Sequence, residues 1–397
     1  MKLAIKGGSP VRSSDFPAWP QYDENEEKAL IRSLHQGQWW RVHGEENKRF
    51  EEEFAAYHGA EYALTVTNGT AALEIALLAA GVQPGDEVIV PAFTFISTSM
   101  AVQRIGALPI AVDVMPDTYC IDPKAIQGNI TQRTRAIIPV HMSGHFCDME
   151  SIMKIAQLNQ LEVIQDAAHA HGARGQNGKG VGEWGTLACF SFQNFKLMTA
   201  GEGGMVLCPN EVMREAAFLY SNCGREVDDR AYQHLVVGIN ARMNEFSAAV
   251  LRAQLTRLEQ QIIVRERNAG ILNEALGGVD VISVQRHTSD ANVHPHYMYM
   301  FTLSEKVKHI DRNYLVDCLI AEGIPAFRAY QAIYRVPNFW SSPCTSLTEQ
   351  HFINACPVTE HIAARGVWIH HRALLGSKDD TIDIATAITK VITALTQ

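Results

Sequence analysis

Two side chains stand where chemistry would be done. Lys196 follows the apolar run Leu187–Phe192 and precedes a glycine cluster, Gly201, Gly203 and Gly204. Lysine is seldom buried without a partner. Just past a buried strand, in a glycine-rich loop, its amine can condense with a carbonyl compound; the plain alternative is a solvated loop lysine. Asp166 lies at the end of Leu-Glu-Val-Ile-Gln-Asp, within the strand expected over Leu161–Ala167. A carboxylate ending a buried strand needs a positive partner, and a protonated pyridine nitrogen would serve. A helix N-cap or a structural ion pair would also account for it.

Asn68-Gly69-Thr70 joins the short strand Tyr62–Thr67 to an almost wholly apolar helix, Ala71–Ala80. A strand, a glycine turn and a helix N-terminus offer free backbone N–H groups and the positive end of the helix dipole to an anion. An ordinary N-cap by Asn68 or Thr70 is the alternative. The Walker ending and the Gly-x-Gly-x-x-Gly fingerprint are both missing. Ser191, five residues before Lys196, adds a hydroxyl. His169 and His171 invite a metal, but no third ligand stands at metal spacing, and no metal is expected. A lysine, a strand-end carboxylate, an anion-binding helix start and a hydroxyl are together what pyridoxal phosphate requires. Phe95, just beyond the strand Glu87–Pro91, is placed to stack on its ring, or else packs in the core.

The elements between these residues alternate. Strands are expected at Glu87–Pro91, Pro109–Val114, Arg135–His141 and Leu161–Ala167, and helices at Phe93–Val102, Asp122–Ile130 and Asp148–Gln157. Such alternation predicts an α/β fold with a mainly parallel sheet between helices. Ligands of such sheets gather at the C-terminal strand ends. Residues 1–25, with Pro10, Pro17 and Pro20, read as an extended arm, and 26–265 as a large cofactor-binding domain. A long helix from Phe246 to about Asn268 leads into a smaller α+β domain, 266–397, which holds an alternating aromatic strand at His296–Leu303. Asn222–Ile239 is a long polar loop of functional or interface type.

Composition narrows the class. The 397 residues carry a net charge of −9 without like-charge runs, which argues against nucleic acid as a partner. No apolar stretch approaches ~20 residues, so no membrane span is expected. The N-terminal segment lacks a signal-peptide core. Eight cysteines without a Cys-x-x-Cys pair fit a reduced, cytoplasmic protein.

The motifs Thr67-Asn-Gly-Thr-Ala-Ala-Leu73, Pro91-Ala-Phe-Thr-Phe-Ile-Ser97, Asp166-Ala-Ala-His-Ala-His-Gly172, Ser191-Phe-Gln-Asn-Phe-Lys196 and Gly201-Glu-Gly-Gly204 stand in one order across the chain. In them the chain resembles the DegT/DnrJ/StrS family of pyridoxal-phosphate aminotransferases, which have the aspartate-aminotransferase fold (type I). The similarity is strongest to the 3-amino-5-hydroxybenzoate (AHBA) synthase branch. Gln38-Trp-Trp-Arg41, His141-Met, Asn240-Ala-Arg-Met-Asn-Glu-Phe-Ser247 and Trp368-Ile-His-His-Arg372 carry it.

The resemblance implies a residue assignment. Lys196 would bind the cofactor covalently and then act as the base, Asp166 would pair with the pyridine nitrogen, and His169 would lie by the ring hydroxyl. Gly69, Thr70 and Ser191 would hold the phosphate, Phe95 would stack on the ring, and Asn240 would reach the cofactor phosphate of a neighbouring subunit in a homodimer. Trp39, Arg41, His296, Tyr334 and Arg372 are candidates for substrate contact, each against an ordinary packing or surface role.

The implied reaction moves an amino group, from glutamine or glutamate, to a keto-sugar or keto-cyclitol in secondary metabolism such as antibiotic biosynthesis. Loss of water from an aminated dehydroshikimate ring, a lyase reaction, is the alternative. A non-catalytic cofactor-binding sensor is the alternative of another class.

Overall fold

The computed structural model describes residues 2–175, 178–227, 229–286, 293–341 and 347–396. Two sheets organise them. The first has seven strands: β1 (Tyr62–Val66), β2 (Glu87–Pro91), β3 (Leu108–Val112), β4 (Thr134–Ile137), β5 (Glu162–Asp166), β6 (Leu187–Ser191) and β7 (Gly204–Cys208). Their spatial order is β1-β7-β6-β5-β4-β2-β3. β2 to β6 run parallel, as the alternating pattern predicts, while β7 is antiparallel to both its neighbours. The connection from β6 to β7 is the glycine-rich loop itself, which holds no helix to make the crossover of a parallel return.

Period-two alternation sends the strand side chains to two faces. Ile89, Ile137, Val163, Ala188 and Phe190 join Phe50, Phe54, Leu258 and Ile262 on one face. Val88, Val90, Ile164, Leu187 and Cys189 join Leu73, Ile75 and Leu77 of the helix Gly69–Ala79 on the other. Covered on both sides, β2, β3 and β6 carry apolar residues on both faces, while β5 also carries the buried Gln165 and Asp166.

The second sheet has four antiparallel strands, β8 (Ile282–Val284), β9 (Met298–Leu303), β10 (Ala326–Arg328) and β11 (Gly366–His370), in the order β10-β11-β9-β8. Helix Glu245–Leu276 links the sheets. Leu251 and Leu258 pack in the first core, and Ala269, Leu272 and Leu276 pack with Phe301 and Ile369 in the core of the second. It runs eight residues beyond the Asn268 expected, because no strong stop precedes Gly277.

Other expectations shift. β4 ends at Ile137, before Pro139, instead of reaching His141. Two short helices, Glu349–Ala355 and Pro357–Arg365, are divided at Pro357, which cannot continue a helix but starts one well. The N-terminal arm holds a 3-10 turn at Ala4–Lys6. Among the described residues, no helix is long and apolar enough to cross a membrane.

Candidate active site

A cavity of about 820 Å³ opens where β5, β6 and the helix Gly69–Ala79 meet. Asp166, His169, Asn68, Gly69, Thr70, Ser191, Phe95 and Lys196 all line it. Residues more than a hundred positions apart are brought together by register. Asp166 on β5 stands opposite Cys189 on β6, and Ser191, two residues on, stands opposite Gly204 on β7.

The close approach of Asn68-Gly69 to β6 and β7 depends on glycine. A Cβ on Gly204 would lie 2.4 Å from the Asn68 carbonyl oxygen, and a Cβ on Gly69 would lie 2.7 Å from Ser191 Cβ. The helix start is therefore pressed against the hydroxyl-bearing end of β6. The Asn68 side chain caps this helix by accepting from Ala71 N at 2.8 Å. The amides of Gly69 and Thr70, at the first helical positions, have no intrahelical acceptor. Thr70 Oγ1 donates to Ser97 Oγ at 3.0 Å.

Asp166 is buried, which pushes its carboxyl above the usual range. Hydrogen bonds from Thr98 Oγ1 (2.8 Å) and Ala168 N (3.2 Å), and the charge of Lys196, pull the other way. A buried carboxylate presented to a cavity fits a cationic ring nitrogen. Lys196 sits one turn beyond Gln193, whose carbonyl accepts from Lys196 N. Its Nζ donates to Tyr297 OH at 3.5 Å and lies 4.5 Å from the centre of that ring. The next ring is His169, stacked on Tyr297 at 4.1 Å and 19°.

Ser143, at φ +65°, fixes this pair. Its N donates to His169 Nδ1 (3.4 Å), its carbonyl accepts from Tyr297 N (3.0 Å), and its hydroxyl donates to the Met298 carbonyl. Burial, with Lys196 and His171 nearby, holds the His169 imidazole well below its usual pKa, so it stays neutral. A carboxylate for a ring nitrogen, an amine for an aldehyde, and amides with a hydroxyl for a phosphate fit pyridoxal phosphate group by group.

The substrate candidates fall elsewhere in this protomer. Arg41 is paired with Glu51 and hydrogen-bonded to Thr65 Oγ1 at 3.2 Å. Tyr334 is buried and donates to Glu360 Oε1 at 2.8 Å. His296 is buried, with its backbone N donating to His294 Nδ1 at 3.1 Å. Trp39 packs on Phe246 at 5.6 Å, half exposed, and Arg372 N donates to His370 Nδ1 at 3.2 Å. None of the five lines the cavity; nor does Asn240, which is exposed beside a residue that does, Ile239.

The sequence reading did not single out the residues that form the outer wall: Tyr297, Tyr330, Phe195, Phe327, Trp368 and His370. The alternation of β9 and β11 was the available signal, since Trp368 and His370 fall on one face and Ile369 on the other. His371, behind that wall, is buried; its Nε2 lies 2.9 Å from the carbonyl oxygen of Phe195, the neighbour of Lys196.

Known proteins carry the same architecture. The DegT/DnrJ/EryC1/StrS aminotransferase family matches residues 21–389. A 3-amino-5-hydroxybenzoate synthase of Amycolatopsis mediterranei (strain S699) is 50% identical over 371 residues, covering 93% of this chain and 95% of the relative. An L-glutamine:2-deoxy-scyllo-inosose aminotransferase of Streptomyces paromomycinus is 35% identical over 416 residues, covering 98% and 97%. A crystal structure of 3-amino-5-hydroxybenzoic acid synthase superposes with a TM-score of 0.92 at 49% identity, covering 98% of this chain and 100% of that one. The chain belongs to the DegT/DnrJ/EryC1/StrS aminotransferase family, and its cofactor is pyridoxal phosphate.

Proposed function

We propose that the chain transfers an amino group, from glutamine or glutamate, to a ketone on a carbocyclic ring, and that Lys196 is the residue through which it does so. The convergence of Lys196, Asp166, the Gly69–Thr70 amides and Ser191 on one cavity carries the reading. When bound, pyridoxal phosphate supplies a carbonyl for an amine to condense with and a ring that draws electrons from the carbon losing its proton.

The protein's own groups do the rest. Asp166 stays ionised against the ring nitrogen and keeps the positive charge there. The Gly69 and Thr70 amides and Ser191 Oγ hold the phosphate at a helix N-terminus, where charge and dipole agree. Phe95, at the rim, covers one face of the ring. Neutral His169 lies by the ring hydroxyl. Lys196 Nζ accepts the proton from the donor's α-carbon and returns it at the end of the same half-reaction, as a general base and then a general acid. Phe195, Phe327 and Trp368 wall the outer part of the cavity.

Two copies complete the site in this reading: Asn240 reaches the phosphate held by the other subunit, which its exposure beside Ile239 supports. Free, buried cysteines support a reduced, cytoplasmic setting. A second reading has specific support. The relative named for 3-amino-5-hydroxybenzoate synthesis is 50% identical, against 35% for the inosose aminotransferase. In that reading the same lysine and carboxylate promote loss of water from an aminated dehydroshikimate ring, which becomes aromatic.

One spectroscopic experiment separates the two. Glutamine alone should bleach the visible band of the loaded enzyme if it transaminates. No change with any amino donor, together with an aromatic product from aminodehydroshikimate, would replace the first reading by the second.

A further inference from the structure

The outer part of the cavity has its own chemistry. β10 and β11 pair Phe327 with Trp368, and the two rings stack at 4.3 Å and 14°. His370, two residues along β11 and on the same face, lies 6.3 Å from Trp368, 6.4 Å from Phe327 and 5.7 Å from Phe195. All four line the cavity that holds Lys196 and Asp166. An aromatic wall of this kind presents flat faces to which a planar ring stacks.

His370 adds direction. Its Nδ1 accepts from Arg372 N at 3.2 Å. A neutral imidazole that accepts at one nitrogen carries its proton at the other. Burial, helped by Arg372 and Arg265, lowers the His370 pKa to about 4, so the ring is neutral at physiological pH. Nε2 is thus an N–H donor. It is buried and has no hydrogen-bond partner among the described residues. A buried donor left unpaired costs about 1–3 kcal/mol, a cost that an acceptor arriving in the cavity would remove.

We propose that His370 is a specificity-determining residue: its Nε2–H donates to an acceptor oxygen carried by a flat six-membered ring that stacks on the Phe327–Trp368 pair. This rests on the reading of the cavity as the site of amino transfer and names the kind of ring it takes. Sites built to hydrogen-bond a substrate oxygen discriminate by the unpaired group left behind when that oxygen is missing.

The test is calorimetric binding of 3-amino-5-hydroxybenzoate to the cofactor-loaded protein, so it needs no turnover. His370→Phe should weaken binding by about 5- to 100-fold. His370→Gln, which keeps an N–H donor, should recover most of it. Equal loss in both variants, or no loss in either, overturns the assignment, as does a wild-type protein that does not bind the ring. If His370→Phe fails to fold, Trp368→Leu probes the same wall, and an unchanged affinity there overturns the stacking. A wild-type protein that binds the ring but never converts glutamine leaves this inference standing and sinks the transamination reading instead.

Discussion

Replacing Gly69 with alanine sets two effects of known sign against each other. Gly69 is the first residue of a helix, where alanine is the better helix former. Its new Cβ, however, would sit 2.7 Å from Ser191 Cβ and 3.3 Å from Ser191 Oγ. Carbon atoms in contact prefer about 3.5–4.0 Å, so the helix start must retreat from β6 by roughly 0.8 Å. Ser191 ends a strand buried on both sides and cannot yield. Overpacking of this size costs about 1–3 kcal/mol, so Gly69→Ala should end slightly less stable than wild type despite the better helix former.

The retreat matters more for the cofactor. Amide–oxygen hydrogen bonds near 2.9 Å lose most of their strength beyond 3.5 Å. One bond to a charged group is worth about 1.5–3 kcal/mol, so affinity for pyridoxal phosphate should fall by about 10- to 150-fold. Pyridoxal, which has no phosphate, should bind wild type and variant alike. The assay is titration of the apoprotein with each compound, followed by the visible absorbance. Wild-type affinity for pyridoxal phosphate in Gly69→Ala would refute the claim that this helix start holds the phosphate.

Two further outcomes follow from the buried ionisable groups. His58 and His141 are fully buried, and desolvation lowers their pKa to about 3 and about 4. The unfolded chain, with ordinary histidines, takes up protons first as the pH falls below ~6.5. Stability therefore drops with falling pH, by about 3 kcal/mol for the pair between pH 6.5 and 5, which chemical denaturation at stepped pH measures; a flat profile there contradicts the burial argument. Thr98→Val removes the hydroxyl that donates to Asp166 and helps hold its carboxyl down. Cofactor affinity in this variant should fail at a higher pH than in wild type as acid is added, while an unshifted acid limb would mean that Asp166 does not pair with the ring.

β2, β3 and β6 are legible in sequence because each is a largely apolar run bounded by turns, and the strand-end rule then selects Asp166 on β5. Gly69, Ser191 and Gly204 are legible only as residue types. That a Cβ at Gly69 would strike Ser191 is a fact of register between β6 and a distant helix, which no local pattern encodes. The outer wall was missed for a different reason. His296 attracts notice as a chemically capable side chain, yet its neighbour Tyr297 faces Lys196. Likewise Arg372 stands out in Trp368-Ile-His-His-Arg372, while His370 lines the cavity. A shift of one residue decides which face of a sheet a group meets, and Arg372 stands past the end of β11 in the turn His371–Leu375; choosing by chemical type ignores both. Arg41 is held instead by Glu51, ten residues along the chain on the adjoining helix Glu46–His58.

The account stands on one bond. Borohydride reduction of the cofactor-loaded protein, followed by peptide mass mapping, should find the pyridoxyl group on Lys196 alone, and Lys196→Ala should carry none. A pyridoxyl group on any other lysine, or an Lys196→Ala protein that still turns over substrate normally, would contradict it.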